Sequence, residues 1–202
     1  MLELALRAYA CGQAEGAVQR PVLALIDYSL PSTARRLVLV DPASGRALRS
    51  ELVAHGKGSG ELHATRFSNE EGSHRSSVGL FVTGETYDGR HGRSLRLHGL
   101  EPGTNDAAYS RAIVIHAADY ATAAHAARFG RLGRSHGCPA LAPDVAPELL
   151  DALAGGAALF VYGDDADWLA SEPYAQCGAA APSAHASAGS PASSISRKRS
   201  RP

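Results

Sequence analysis

Ser135-His136-Gly137-Cys138-Pro139 holds the residue types best suited to covalent chemistry in this chain. Cysteine attacks as the thiolate, and a free thiol with pKa ~8.5 is mostly protonated at neutral pH. Cys138 therefore needs a base. Two histidines are candidates. His136 lies beside Cys138 in the same motif, whereas His116 ends the apolar run Ala112-Ile113-Val114-Ile115 and can reach Cys138 only through tertiary structure. Gly137 lets the backbone approach a substrate carbonyl and leaves N–H groups to hold an oxyanion. A Gly-Cys pair alone would more often be a packed structural thiol. The flanking histidine and glycine, which a packing thiol does not need, turn the reading towards cysteine-dependent acyl transfer.

Other patterns in the chain carry less. Gly133-Arg134-Ser135-His136-Gly137 satisfies the G-x-S-x-G elbow of serine hydrolases, but that motif needs a buried strand before it and a helix after it. Here Pro139 follows, and the histidine expected downstream would have to be His185. His91, His98, His116 and His136 show no metal-ligand spacing, so neither a metal nor a cofactor is expected. Lys57-Gly58-Ser59-Gly60 reads as a turn rather than a phosphate loop. Cys11 and Cys177 sit near the two ends, and a disulfide or two separate thiols fit the sequence equally well.

The elements that must position this chemistry are short. Leu2 to Ala10 has the pattern of an amphipathic helix, interrupted by Glu3 and Arg7. Val22 to Leu30 and Leu37 to Val40 are apolar and β-branched, as strands are. Asp41-Pro42-Ala43-Ser44-Gly45 predicts a turn into a strand over Leu48 to His55. Gly79 to Thr83, Leu95 to Leu97, and Ala158 to Tyr162 add strands. Arg111 to His116 alternates so that Val114 and His116 share one face, with Ile113 and Ile115 on the other. Pro143 to Leu153 reads as a helix closed by Gly155-Gly156. The fold class is mainly β (α+β). From 178 to 202 the chain is Ala/Ser/Pro-rich with a basic end. It lacks the apolar side chains to offset its ordering entropy, so a disordered tail is expected after a domain over 1–177.

Composition excludes several classes. Lys+Arg and Asp+Glu balance at 20 each, so no global field favours nucleic acid or anionic lipid. No apolar run approaches the ~20 residues that span a bilayer. Oligomeric state is not legible.

Several separate segments, in order, resemble one family. Arg111-Ala112-Ile113-Val114-Ile115-His116 followed by Gly133-Arg134-Ser135-His136-Gly137-Cys138-Pro139-Ala140 is similar to the catalytic core of the L,D-transpeptidases. These are YkuD-type murein enzymes, and the nearer match is the murein L,D-transpeptidase catalytic domain branch. Ile26-Asp27-Tyr28-Ser29-Leu30-Pro31-Ser32, His55-Gly56-Lys57, Phe67-Ser68-Asn69, Gly79 to Gly84 and Leu97-His98-Gly99-Leu100-Glu101 extend the likeness. It runs from Leu2 to Cys177.

The resemblance implies a β-sandwich catalytic domain and a substrate in the peptide stems of peptidoglycan, hence a periplasmic or cell-envelope location. No export signal is visible, which implies a truncated N-terminus. Carried over, Cys138 is the nucleophile, His116 its base, and His136 lines the site. Gly137 and Cys138 offer backbone N–H groups, and Ser135 fills the family's Ser/Thr position. Ala117 stands where the general family often has glycine, in a role expected of backbone. Ala140 stands where the general family tends to have Asn or Arg, so a substrate-carboxylate contact would come from Arg134 or Arg111. The implied reaction is acyl transfer through a Cys138 thioester to an amine acceptor. The alternatives are an L,D-carboxypeptidase that uses water, or an inactive wall-binding module.

Overall fold

The computed structural model describes residues 1–171 and Tyr174. Helix α1 (Leu2–Ala14) leads into strands β1 (Leu23–Asp27), β2 (Leu37–Asp41), β3 (Arg46–Glu51), β4 (Gly79–Gly89) and β5 (Gly92–Gly99). There follow β6 (Val114–Ala117), α2 (Ala123–Phe129), β7 (Ala140–Leu141), α3 (Ala146–Leu153), β8 (Ala158–Tyr162) and α4 (Ala166–Ala170). The expected tail and the boundary at 177 lie outside the described residues.

Among the described residues eight strands form one mainly antiparallel sheet in the order β3-β2-β1-β8-β4-β5-β6-β7. Only β1–β8 and β6–β7 pair in parallel. Ala54, just beyond β3, bridges to Ala140 in β7, so the two edges of the sheet meet. The fold is mainly β with a few short helices, as expected, and its layers come from one sheet curling on itself.

Alternation in the strands explains the two cores. Ala24, Ile26, Phe81, Leu159 and Val161 face one cluster, where they meet Leu95, Leu97, Ile115 and the Leu149, Leu150 and Leu153 stripe of α3. Their neighbours Leu23, Leu25, Leu80, Ala158 and Phe160 face the other, covered by Ala5, Ala8 and Tyr9 of α1 and by Trp168 of α4. With period 2 along each strand, one run of apolar residues serves both faces.

Where sequence and structure part, local geometry is the cause. The strand read from Arg111 begins only at Val114, because Ala112 adopts a left-handed φ of 54° that turns the chain. The helix read from Pro143 begins at Ala146, after a turn. Strand β4 runs well past the segment read as a strand. Its register with β5 shifts between Thr83 and Thr86, an irregularity that bends a hairpin and re-aims its tip. Beyond Val82, β4 pairs with β5 alone, so the hairpin tip projects past β8.

Candidate active site

Strand register brings the two ends of the proposed pair together. In the parallel β6–β7 pairing His116 lies opposite Ala140 and Ala117 opposite Leu141. Cys138 comes just before β7, so the same register carries it alongside Val114. Cys138, Val114 and His116 all line one cavity of about 620 Å3. The alternation read from sequence holds: Val114 and His116 face this cavity, while Ile113 and Ile115 lie in the core.

The His116 ring is buried, and its Nδ1 lies 2.8 Å from the carbonyl oxygen of Ala117. A carbonyl only accepts, so Nδ1 carries the proton and Nε2 presents a lone pair. His91 stacks on the ring at 4.4 Å between centroids and 21° between planes. Burial holds the His116 pKa below its ordinary value, against the pull of the Ala117 carbonyl, and nearby His91 and Arg90 lower it further.

The Cys138 thiol is half-buried and donates to the carbonyl of Ala112 at 3.7 Å. Burial pushes its pKa up, and the backbone of Val114 and the guanidinium of Arg111 oppose that rise. Among the described residues no hydrogen bond joins the thiol to His116. At neutral pH the site therefore rests as a neutral thiol beside a neutral imidazole. Its chemistry would be general-base activation during attack, not a preformed ion pair.

The loop before Cys138 is held by a side-chain clasp. The Ser135 hydroxyl donates to the Cys138 carbonyl at 2.6 Å and accepts from the Gly137 N–H at 3.0 Å. That serine is thus a brace for the turn, and not the nucleophile of a hydrolase elbow. The Gly137 N–H expected to help hold an oxyanion is engaged by Ser135, while the Cys138 N–H points to its own sulfur. Gly137 itself has φ 126°, and a Cβ there would lie 2.8 Å from Ile113 Cδ1 and 2.9 Å from the Arg75 carbonyl. From behind, the Lys57 N–H donates to the Ser135 carbonyl and the Ser135 N–H to the His55 carbonyl, while the Ser76 hydroxyl accepts from the Gly56 N–H and donates to the Gly137 carbonyl.

The remaining sequence candidates are placed as follows. His136 is exposed on the cavity rim and stacks on His74 at 4.3 Å. Ala117 contributes its carbonyl, which orients His116. Arg134 lines the cavity but pairs with Glu61 at 2.7 Å and with the Gly60 carbonyl at 3.0 Å. Arg111 is also at the wall, and its Nη atoms bond Ser68 O, Ser77 Oγ, Ser73 Oγ and Arg75 O. Of the two cations named from sequence for a substrate carboxylate, Arg111 has both Nη atoms bonded to the 68–77 segment and Arg134 is already paired with a carboxylate. His98 lies elsewhere, stacked on Tyr109 at 5.0 Å. Cys138 is the free thiol among the described residues, Cys11 is bonded, and Cys177 lies outside them.

Sequence reasoning missed the tip of the β4–β5 hairpin, which brings Tyr87, Arg90 and His91 to the cavity. The clue was present in the paired glycines of Tyr87-Asp88-Gly89-Arg90-His91-Gly92, a turn signature between two strands. Nothing local, however, indicates over which surface that turn leans.

A β domain with a half-buried thiol and a tautomer-fixed imidazole on one cavity wall is the class this structure defines. The family model described as the L,D-transpeptidase catalytic domain matches residues 1–162, and the chain belongs to that family. Solved structures with a similar fold include an L,D-transpeptidase from Mycobacterium smegmatis. It is 17% identical, with 71% of this chain and 59% of that one covered and a TM-score of 0.42. L,D-transpeptidase 3 from Mycobacterium tuberculosis is 13% identical over 71% and 61% of the two chains, with a TM-score of 0.45. An L,D-transpeptidase from Stackebrandtia nassauensis is 14% identical over 80% and 66%, with a TM-score of 0.43. The chain spans less than two thirds of the length of these structures. No curated protein matches it. The family acts on peptidoglycan, and among the described residues no helix is long and apolar enough to cross a membrane.

Proposed function

We propose that this chain is a cysteine-dependent peptidoglycan L,D-transpeptidase working in the cell envelope, with residues 1–177 as the catalytic unit. His116 Nε2 takes the Sγ proton as Cys138 attacks the carbonyl joining the third residue of a stem to its terminal D-alanine. The tetrahedral oxyanion takes its donor from the Cys138 N–H, with the Gly137 N–H joining it if the turn releases Ser135. Such donors are typically worth ~3 kcal/mol each at the transition state. The imidazolium then protonates the departing amine, the C–N bond breaks, and a thioester forms. The side-chain amine of a second stem attacks that thioester, passes its proton to His116 Nε2, and releases the thiol with a 3→3 cross-link.

The observation that carries this reading is the pairing across β6 and β7. It sets an imidazole with an open Nε2 and the free thiol on one wall of a cavity roomy enough for a peptide end. Family membership supports the substrate class. One solved structure is described as the L,D-transpeptidase LdtMt1 in complex with imipenem, a carbapenem, which supplies a probe.

Intact-mass measurement after incubation with that carbapenem is the test. The expected result is one covalent adduct, absent from Cys138→Ser. No adduct on the wild-type chain would sink the acyl-transfer reading and leave a wall-binding module. Product analysis with a tetrapeptide donor and an amine acceptor then separates transfer from hydrolysis. Release of D-alanine without any cross-linked dimer would make the enzyme an L,D-carboxypeptidase.

A further inference from the structure

Three guanidinium groups line the cavity, those of Arg90, Arg111 and Arg134. Their hydrogen bonding differs sharply. Arg111 is spent on four acceptors from the 68–77 segment, and Arg134 is paired through Nη1 with the Glu61 carboxylate and the Gly60 carbonyl. Arg90 makes one bond, from Nε to His91 Nε2 at 3.0 Å, and pairs with no carboxylate among the described residues. Both of its terminal nitrogens are therefore open. It is exposed, at the tip of the hairpin that projects past β8, and its neighbour His91 lies flat on the His116 ring.

We infer that Arg90 is the anchor for a carboxylate of the acyl donor, holding it over Cys138 from the hairpin tip. The inference rests on the acyl-transfer reading of the cavity only for the identity of the ligand. The argument itself is one of valence. A guanidinium offers a planar fork that meets a carboxylate through two parallel N–H···O bonds, and among the three wall cations Arg90 combines an open Nη fork with a charge that no described carboxylate or set of acceptors has taken up. The His91 contact fixes the Nε edge, which leaves the Nη edge to the ligand. Placement near the reacting groups is consistent with the electrostatics, since the Arg90 charge favours the Cys138 thiolate and disfavours protonation of His116 and His136.

Alkylation of Cys138 tests the anchor without requiring turnover. Iodoacetate carries a carboxylate and iodoacetamide does not, so the ratio of their rates reads a local cation. The ratio is expected to fall about tenfold in Arg90→Gln and to recover partly in Arg90→Lys. Arg93→Gln, which removes the same charge from the same hairpin but outside the cavity, is expected to change it less than twofold. An unchanged ratio in Arg90→Gln, with a wild-type melting temperature, would overturn the inference. A second arm compares tetrapeptide donors that end in a free carboxylate or in an amide. Arg90→Gln should raise KM for the acid about tenfold and leave the amide unaffected; equal loss on both would overturn donor anchoring. Should neither peptide react while the alkylation ratio still falls, the anion anchor stands and the transpeptidase reading fails.

Discussion

His55 and His116 are both buried, yet their surroundings are built on opposite rules. His55 is closed on both nitrogens: Arg36 Nη2 donates to Nδ1 at 2.7 Å, and Nε2 faces the Gly60 carbonyl at 3.3 Å. Arg36, also buried, spends its other donors on the carbonyls of Val53 and Leu30 and stacks over Tyr28. Burial and the Arg36 charge lower the His55 pKa to about 4, so it stays neutral and structural. His116 is closed on one nitrogen and open on the other. The arginines repeat the contrast, with Arg36 and Arg111 saturated and Arg90 open. A polar group that holds a fold together uses every valence, because unpaired buried groups are costly. A group meant for a ligand keeps one free at a cavity.

The comparison is sharpest if the two histidines are exchanged for residues that keep the volume but lose the ring chemistry. His116→Gln should cut the rate of Cys138 acylation by a factor of about 10² to 10⁴, the usual contribution of a general base, with little change in melting temperature. The same substitution at His55 should do the reverse, destabilising the domain through an unpaired Arg36 while leaving residual acylation in the folded fraction. Acylation kinetics and thermal melts on both variants read the two effects. Equal behaviour would remove the distinction.

A smaller effect is expected from the clasp. Ser135→Ala leaves the Gly137 N–H without its acceptor and frees the Cys138 carbonyl. Stability should drop by about 1–3 kcal/mol, and acylation should slow more than that alone explains, since the turn presenting the thiol loosens. A denaturant titration alongside acylation rates checks both; an unaffected rate would remove Ser135 from the positioning apparatus.

Acidification probes the closed histidine once wild type is compared with His55→Gln, because the lowered pKa of His116 acts in both chains alike. The folded His55 pKa is depressed, so between its ordinary value near 6.5 and about 4 the unfolded chain binds the extra proton. Stability should therefore fall as pH drops through that window, by up to about 1.4 kcal/mol per pH unit, and this contribution should level off below about 4. Melting temperatures of wild type and His55→Gln across pH 4–7 should converge at the acid end. Parallel curves would show that another group governs the slope.

Much of this was legible without coordinates. Cysteine and histidine types, the Ser-His-Gly-Cys turn and the strand alternation at Val114 to His116 are local properties. They follow from which side chains can do covalent chemistry and from the two-residue repeat of a strand. The central strands β1, β2, β4 and β8 were equally readable from their apolar runs, whereas the two-residue β7 was not read as a strand. The curling of the sheet was not legible, since the meeting of Ala54 with Ala140 depends on the summed twist of eight strands. Nor was the occupancy of the arginines. Arg90, Arg111 and Arg134 look alike in sequence, and only folding decides which finds acceptors and which is carried, by a shifted register and a projecting hairpin, to an open cavity wall. Residue type sets what a group can do, whereas the contacts it is given in three dimensions decide whether that capacity is used up or kept.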